Sequence, residues 1–142
     1  YKVSIIDNRK EFANKKRFGH VDQIILGRHV QSLQKINIGP QTYIMVVTQG
    51  NEYDYECLKA VVKTNAAYIG VISSKPKRIK FFNRLKESGI SKNTLDKIKI
   101  PAGIDIGAQT PEEIAVSMMA EMLSVKNKDF LQTDKFKEKF KK

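Results

Sequence analysis

An ionised carboxylate at the end of a buried strand can accept two hydrogen bonds from a vicinal diol, and Asp7, directly after the apolar run Val3–Ile6, is placed for such a ribose contact. Arg9 lies beside it. The run Ser73-Ser74-Lys75-Pro76-Lys77-Arg78 has the composition of an anion site: free backbone N–H groups at a helix start, with cations Lys75 and Arg78 to reinforce the dipole. Simple capping by Ser74 with exposed lysines explains the same run equally well. Gly103 and Gly107 flank Asp105, a pattern for positive φ or close backbone approach to a ligand, although a tight turn into a helix also accounts for Gly107. Thr48, Gln49 and Gly50 form a further polar segment. His20 and His29 have no Ser or Cys partner near them in sequence, and no HExxH or CxxC supports a metal site. The adjacent Glu112 and Glu113 fit dipole and capping better than acid–base chemistry.

The elements that must position these residues alternate. Short β-branched runs at Lys2–Ile6, Asp22–Leu26, Thr42–Val47, Ala67–Ile72 and Ile98–Ile100 read as strands. Between them, 3.6-residue periodicity predicts helices around His29–Lys35 and over Asn51–Lys63, the latter capped by Asn51 with Leu58, Val61 and Val62 on one face. A third helix is expected after Ser73 and Ser74 as cap hydroxyls, with Ile79, Phe82 and Leu85 as its stripe and Gly89 as its end. Thr110, Pro111 and Glu113 predict a capping box opening a last helix. Its apolar residues Ile114, Ala115, Val116, Met118, Met119, Met122 and Leu123 surround most of its circumference, so it is expected to be largely buried. Alternating strands and helices imply βαβ units and a parallel sheet. The four polar segments then all follow strand ends, where open α/β sheets bind ligands.

Composition bounds the class. The 142 residues suffice for one domain, and 41% hydrophobic with 29% charged residues is a globular balance. No stretch reaches the roughly 20 apolar residues of a membrane span, and Asp7, Asn8 and Arg9 interrupt any signal-peptide pattern. A single cysteine, Cys57, suits a reducing cytoplasm and reads as a small core residue beside Leu58, Val61 and Val62. The net charge of +11 is uneven: residues 75–99 carry 9 basic and 2 acidic groups, whereas residues 100–125 carry 4 acidic groups and no basic one. That asymmetry points to a localised anion site rather than a nucleic-acid coat, for which no motif is present. Residues 127–142 form a basic C-terminal tail, expected to be amphipathic and helical through Phe130, Phe136 and Phe140. The chain opens on Tyr1 with strand-like residues, as expected of a fragment or processed product.

The segments IIDNR (Ile5–Arg9), RF (Arg17–Phe18), TQGNEYD (Thr48–Asp54), AAYIGVISS (Ala66–Ser74) and PAGIDIGAQTPEEIAVSMMAEML (Pro101–Leu123) occur in an order and spacing that resemble the C-terminal Rossmann-type domain of the XdhC/CoxI family, the xanthine dehydrogenase accessory factors. The resemblance covers residues 1–126. It implies a Rossmann-like three-layer parallel sheet, here lacking the family's first strand and glycine-rich loop. It also implies a chaperone that binds molybdenum cofactor, as molybdopterin or its dinucleotide form, and passes it to an apo molybdenum hydroxylase of the xanthine dehydrogenase type with other cofactor-maturation proteins. Such a carrier needs no catalytic triad. Gly70, within AAYIGVISS, joins the strand-end residues as an implied cofactor contact. Two motif positions depart from the family: Asn51 stands where it has histidine, and Ile72-Ser73-Ser74 replaces Ile-Gly-Ser. A homo-oligomer is expected for a carrier built on an open sheet. An NAD(P)-binding oxidoreductase or nucleotide-sensing domain is the alternative on the same scaffold.

Overall fold

The computed structural model describes residues 1–128. The expected tail helix lies outside them. The strands are β1 (Ser4–Asp7), β2 (Gln23–Leu26), β3 (Tyr43–Val46), β4 (Tyr68–Val71) and β5 (Ile98–Lys99), and the helices α1 (His29–Leu33), α2 (Asn51–Val61), α3 (Lys75–Glu87), α4 (Lys92–Leu95) and α5 (Pro111–Lys126). All pairings are parallel, as the alternating pattern requires. They fall into two ladders, β1–β2 and β3–β4–β5, rather than one continuous sheet.

Register decides which side chains share a face. Tyr43 pairs with Tyr68, Met45 with Gly70, and Ile69 with Ile98. One face of the larger ladder therefore carries Ile44, Val46, Ile69, Val71 and Ile98. These residues pack with Leu58 and Val61 of α2 and Phe81 and Leu85 of α3 into the hydrophobic core. Arg84 of α3 locks the two helices together: it donates to both carboxylate oxygens of Glu52 at 2.9 and 2.7 Å, and its guanidinium lies 3.6 Å from the Tyr55 ring centroid.

The opposite face carries Tyr43 and Tyr68, whose rings stack at 6.3 Å. Here α5 docks by hydrogen bonds. Glu121 accepts from the Tyr68 hydroxyl at 2.6 Å and from the Gly103 N–H at 2.8 Å. Ser117 donates to the Ile104 carbonyl at 2.6 Å. Burial and the bond to Glu121 together push the Tyr68 hydroxyl well above the ordinary tyrosine range.

Several expectations need correction. The last helix is not largely buried: Ser117 is its only buried residue, whereas Val116, Met119 and Leu123 are 63, 45 and 40% exposed. An apolar circumference does not state which side faces inward, and here hydrogen bonds choose the side bearing Ser117 and Glu121. In α3, Ile79 is 65% exposed and Phe81 takes its place beside Leu85, because an i, i+4 pair stays on one face while an i, i+3, i+6 series drifts off it. Helix α2 is preceded by Gly50 as N-cap, so Asn51 is its first helical residue and caps nothing. Ser74 is the N-cap of α3 but makes no side-chain cap bond. Helix α1 stops at Leu33, short of Lys35. The other signals hold: Gly89 closes α3 at φ +79° with the Ile90 N–H on the Leu85 carbonyl, and the Thr110–Glu113 capping box is complete.

Candidate functional site

The ends of β3 and β4 lie side by side, since the Ile72 N–H donates to the Val46 carbonyl at 3.1 Å. The polar loops Thr48–Gly50 and Ser73–Lys75 are therefore neighbours. The first is held rigidly. Asp54, buried in α2, accepts from the Thr48 hydroxyl at 2.6 Å and the Thr48 N–H at 3.1 Å, and that hydroxyl also reaches the Gly50 carbonyl at 3.1 Å. Thr48 is thus spent on its own loop, Gln49 lies at the loop tip, and Gly50, extended at φ −168°, has open space around it.

The second loop is not self-satisfied. The Ser73 Oγ is buried and has no hydrogen-bond partner, the one such side-chain atom among the described residues. An unpartnered buried hydroxyl costs roughly 1–3 kcal/mol. It stands beside the first turn of a 13-residue helix opened by Ser74 and Lys75, whose leading N–H groups have no intrahelical acceptor. Arg78, one turn further on, is drawn away: its guanidinium lies 5.0 Å from the Phe82 ring centroid.

At the end of β1, Arg9 forks onto Asp7 with bonds of 2.9 and 2.7 Å, and the Arg9 N–H adds a third at 2.9 Å. The Arg9 bonds hold the Asp7 carboxyl at about 2, well below the usual carboxylate range. Both oxygens that a ribose would use are engaged by Arg9. The same guanidinium also covers the Phe12 ring at 4.3 Å.

The remaining glycines serve packing. Gly103, at φ +103°, lies so close to α5 that a Cβ would collide with the Ser117 hydroxyl. Its Cα faces the helix. Gly70 sits beneath the Tyr68 ring and against the Met45 sulfur, 2.6 and 2.8 Å from where a Cβ would stand. Asp105 and Gly107 form an exposed turn, with the Gly107 N–H on Asp105 Oδ1 at 3.3 Å and φ +70° at Gly107. Packing alone therefore accounts for glycine at positions 70 and 103. The close approach inferred from glycine is real, but what approaches is the chain itself.

An open cleft of about 580 Å³, which no residue pattern in the sequence marks, lies where the ends of β1 and β2 meet α2. Asn8, Arg28, His29, Gln31, Tyr53 and Glu56 line it, and the His29 and Tyr53 rings lie 5.8 Å apart. Its signal was topological: β1 and β3 belong to different ladders, and crevices open where neighbouring connections run apart. Cys57 borders the cleft, but burial, aided by the Asp54 and Glu56 charges, pushes its thiol up to about 11. Such a thiol is packing, not a nucleophile. No group of three or more His, Cys, Asp or Glu side chains among the described residues could hold a metal ion, and no described helix is long and apolar enough to cross a membrane.

Comparison with known proteins adds to this geometry. Residues 1–122 match the model of the XdhC Rossmann domain. The chain is 29% identical over 131 residues to the uncharacterized protein YqeB of Escherichia coli (strain K12), covering 89% of this chain and 23% of that protein. It is 28% identical over 128 residues to a probable xanthine dehydrogenase subunit of Bacillus subtilis (strain 168), covering 90% of this chain and 37% of the relative. A crystal structure of a xanthine dehydrogenase from Bacillus halodurans superposes with a TM-score of 0.78 at 26% identity, over 90% of this chain and 36% of that one. The chain thus spans well under half the length of the relatives it matches.

Proposed function

Because the chain belongs to the XdhC family through its Rossmann domain, we propose that it is the cofactor-holding part of an accessory factor for a xanthine dehydrogenase-type molybdenum hydroxylase. The carried group is molybdenum cofactor, a pterin bearing a phosphate. The observation that supports this most is the orphaned Ser73 hydroxyl beside the start of α3. A phosphate oxygen there accepts from the hydroxyl and from the leading N–H groups, and Lys75 adds its charge. The residues present therefore fit an anionic group. Thr48, Gln49 and Gly50 form the adjoining wall, pinned by Asp54.

When bound, the cofactor supplies redox-active molybdenum for the enzyme that receives it. This chain's own residues hold and release. A phosphate gripped by one hydroxyl, backbone N–H groups and a lysine is held without covalent bonds, as delivery to an apo-hydroxylase and exchange with maturation proteins require. Cys57 is held protonated and Asp7 is tied to Arg9.

Equilibrium dialysis of the chain against released molybdopterin tests the reading. Retention should fall at least about tenfold in Ser73→Ala and in Lys75→Glu, the loss expected for a charge-assisted bond. Stability of Ser73→Ala should be unchanged or slightly raised, because it removes a hydroxyl that is unpaired without ligand. No retention by the unmodified chain would sink the proposal. Retention of NADH instead, with Ser73→Ala harmless, would move the function to the NAD(P)-binding alternative.

A further inference from the structure

Helix α5 presents a seam that hydrogen bonding has turned outward. Glu112, Val116, Met119, Leu123 and Lys126 follow one another at steps of four, three, four and three residues, which places them in one narrow arc of the helix. All five are exposed. The opposite arc carries Ser117 and Glu121, which bind the protein's own loop and Tyr68. The seam is apolar in the middle, acidic at one end and basic at the other. Met119 is its centre, with Glu112 seven residues before and Lys126 seven residues after, each about 10 Å along the axis. Such a strip is complementary to its own antiparallel copy. Among the described residues neither Glu112 nor Lys126 enters an ion pair, although the Lys126 ammonium lies 5.1 Å from the Tyr1 ring centroid.

We propose that α5 is a dimerisation helix, packing antiparallel against α5 of a second copy about a two-fold axis at Met119. Val116, Met119 and Leu123 of each copy close the centre, and each Glu112 meets the partner copy's Lys126. A two-fold interface needs a patch that complements itself. The charge inversion along this seam meets that condition, whereas an unrelated surface would have no reason to match a palindrome. The patch is small, so the dimer is of the micromolar class.

Analytical ultracentrifugation of the 142-residue chain over a concentration series ending near 100 µM, a range suited to a micromolar dimer, reads the association. The chain should move from one to two copies across that range. Met119→Asp should weaken association at least about tenfold while its thermal midpoint stays within a few degrees, since the residue is exposed. Glu112→Lys should also weaken it by opposing two lysines across the axis, and Glu112→Lys with Lys126→Glu should restore it. A monomer at every concentration overturns the proposal, as does a dimer indifferent to Met119→Asp. Failure of the charge swap to restore association overturns the antiparallel register. Circular dichroism on each variant separates loss of association from loss of fold.

Discussion

The two faces of the β3–β4–β5 ladder are stabilised by different physics. Toward α2 and α3 the contacts are apolar throughout, with Leu58, Val61, Val71 and Leu85 wholly removed from solvent. Toward α5 they run through one carboxylate and one hydroxyl, Glu121 and Ser117. The first face is cohesive and tolerant of direction. The second is specific in direction but thin. Helix α5 is apolar around most of its circumference, with Ile114, Met118 and Met122 half-buried, and the loop carbonyl and N–H that Ser117 and Glu121 satisfy set which side faces inward.

Leu58→Ala opens a cavity in the apolar face and should cost about 3 kcal/mol in urea unfolding. Glu121→Leu strikes the other face. It strands the Tyr68 hydroxyl and the Gly103 N–H and should cost about 2 kcal/mol. Adding Tyr68→Phe should recover part of that loss, because one stranded donor disappears with its partner. A double-mutant cycle showing no coupling between positions 68 and 121 would mean that packing, not hydrogen bonding, holds α5.

Away from both faces, the Asp7–Arg9 pair should add a small, solvent-screened contribution to stability. Its sign follows from the carboxyl falling from 3.8 to about 2 on folding. The contribution is complete above the unfolded value and is lost as pH falls toward 2. The stability gap between the chain and Asp7→Asn should therefore be constant near neutrality and close between pH 4 and 2. The smallest effect concerns Cys57. With its thiol pushed up to about 11, alkylation at pH 8 should proceed only as fast as the core opens. Rapid labelling of the folded chain would show the apolar face to be looser than its burial implies.

Strand and helix positions were legible because periodicity reports which residues are covered, and the Thr110–Glu113 box because its two bonds are local. What was not legible depended on partners distant in sequence. Gly70 and Gly103 advertise close approach, but only the fold shows that Tyr68 and Ser117 do the approaching. In α5 the apolar circumference obscured the choice of side, yet a usable signal was present. Ser117 and Glu121, four residues apart, are polar residues set into an apolar stretch on one face, and a polar pair so placed needs partners. Asp54 was similarly hidden: its role is to hold Thr48, which lies before the helix that carries it. The sequence marks Ser73 by its helix position, whereas its distinguishing property, a buried hydroxyl without a partner, is visible only in three dimensions.

The break between the β1–β2 and β3–β4–β5 ladders has a consequence for cooperativity. A two-stranded ladder is marginal by itself, and this one is tied to the rest chiefly through α1 against α2. It should therefore open as a separate unit, its amides exchanging with solvent well before those of β4, which is hydrogen-bonded on both sides. The cleft lined by Asn8, Arg28 and Tyr53 lies on the boundary between the slow and fast parts. A molecule bound there would bridge the two parts and would register first as slowed exchange in residues 4–7 and 23–26.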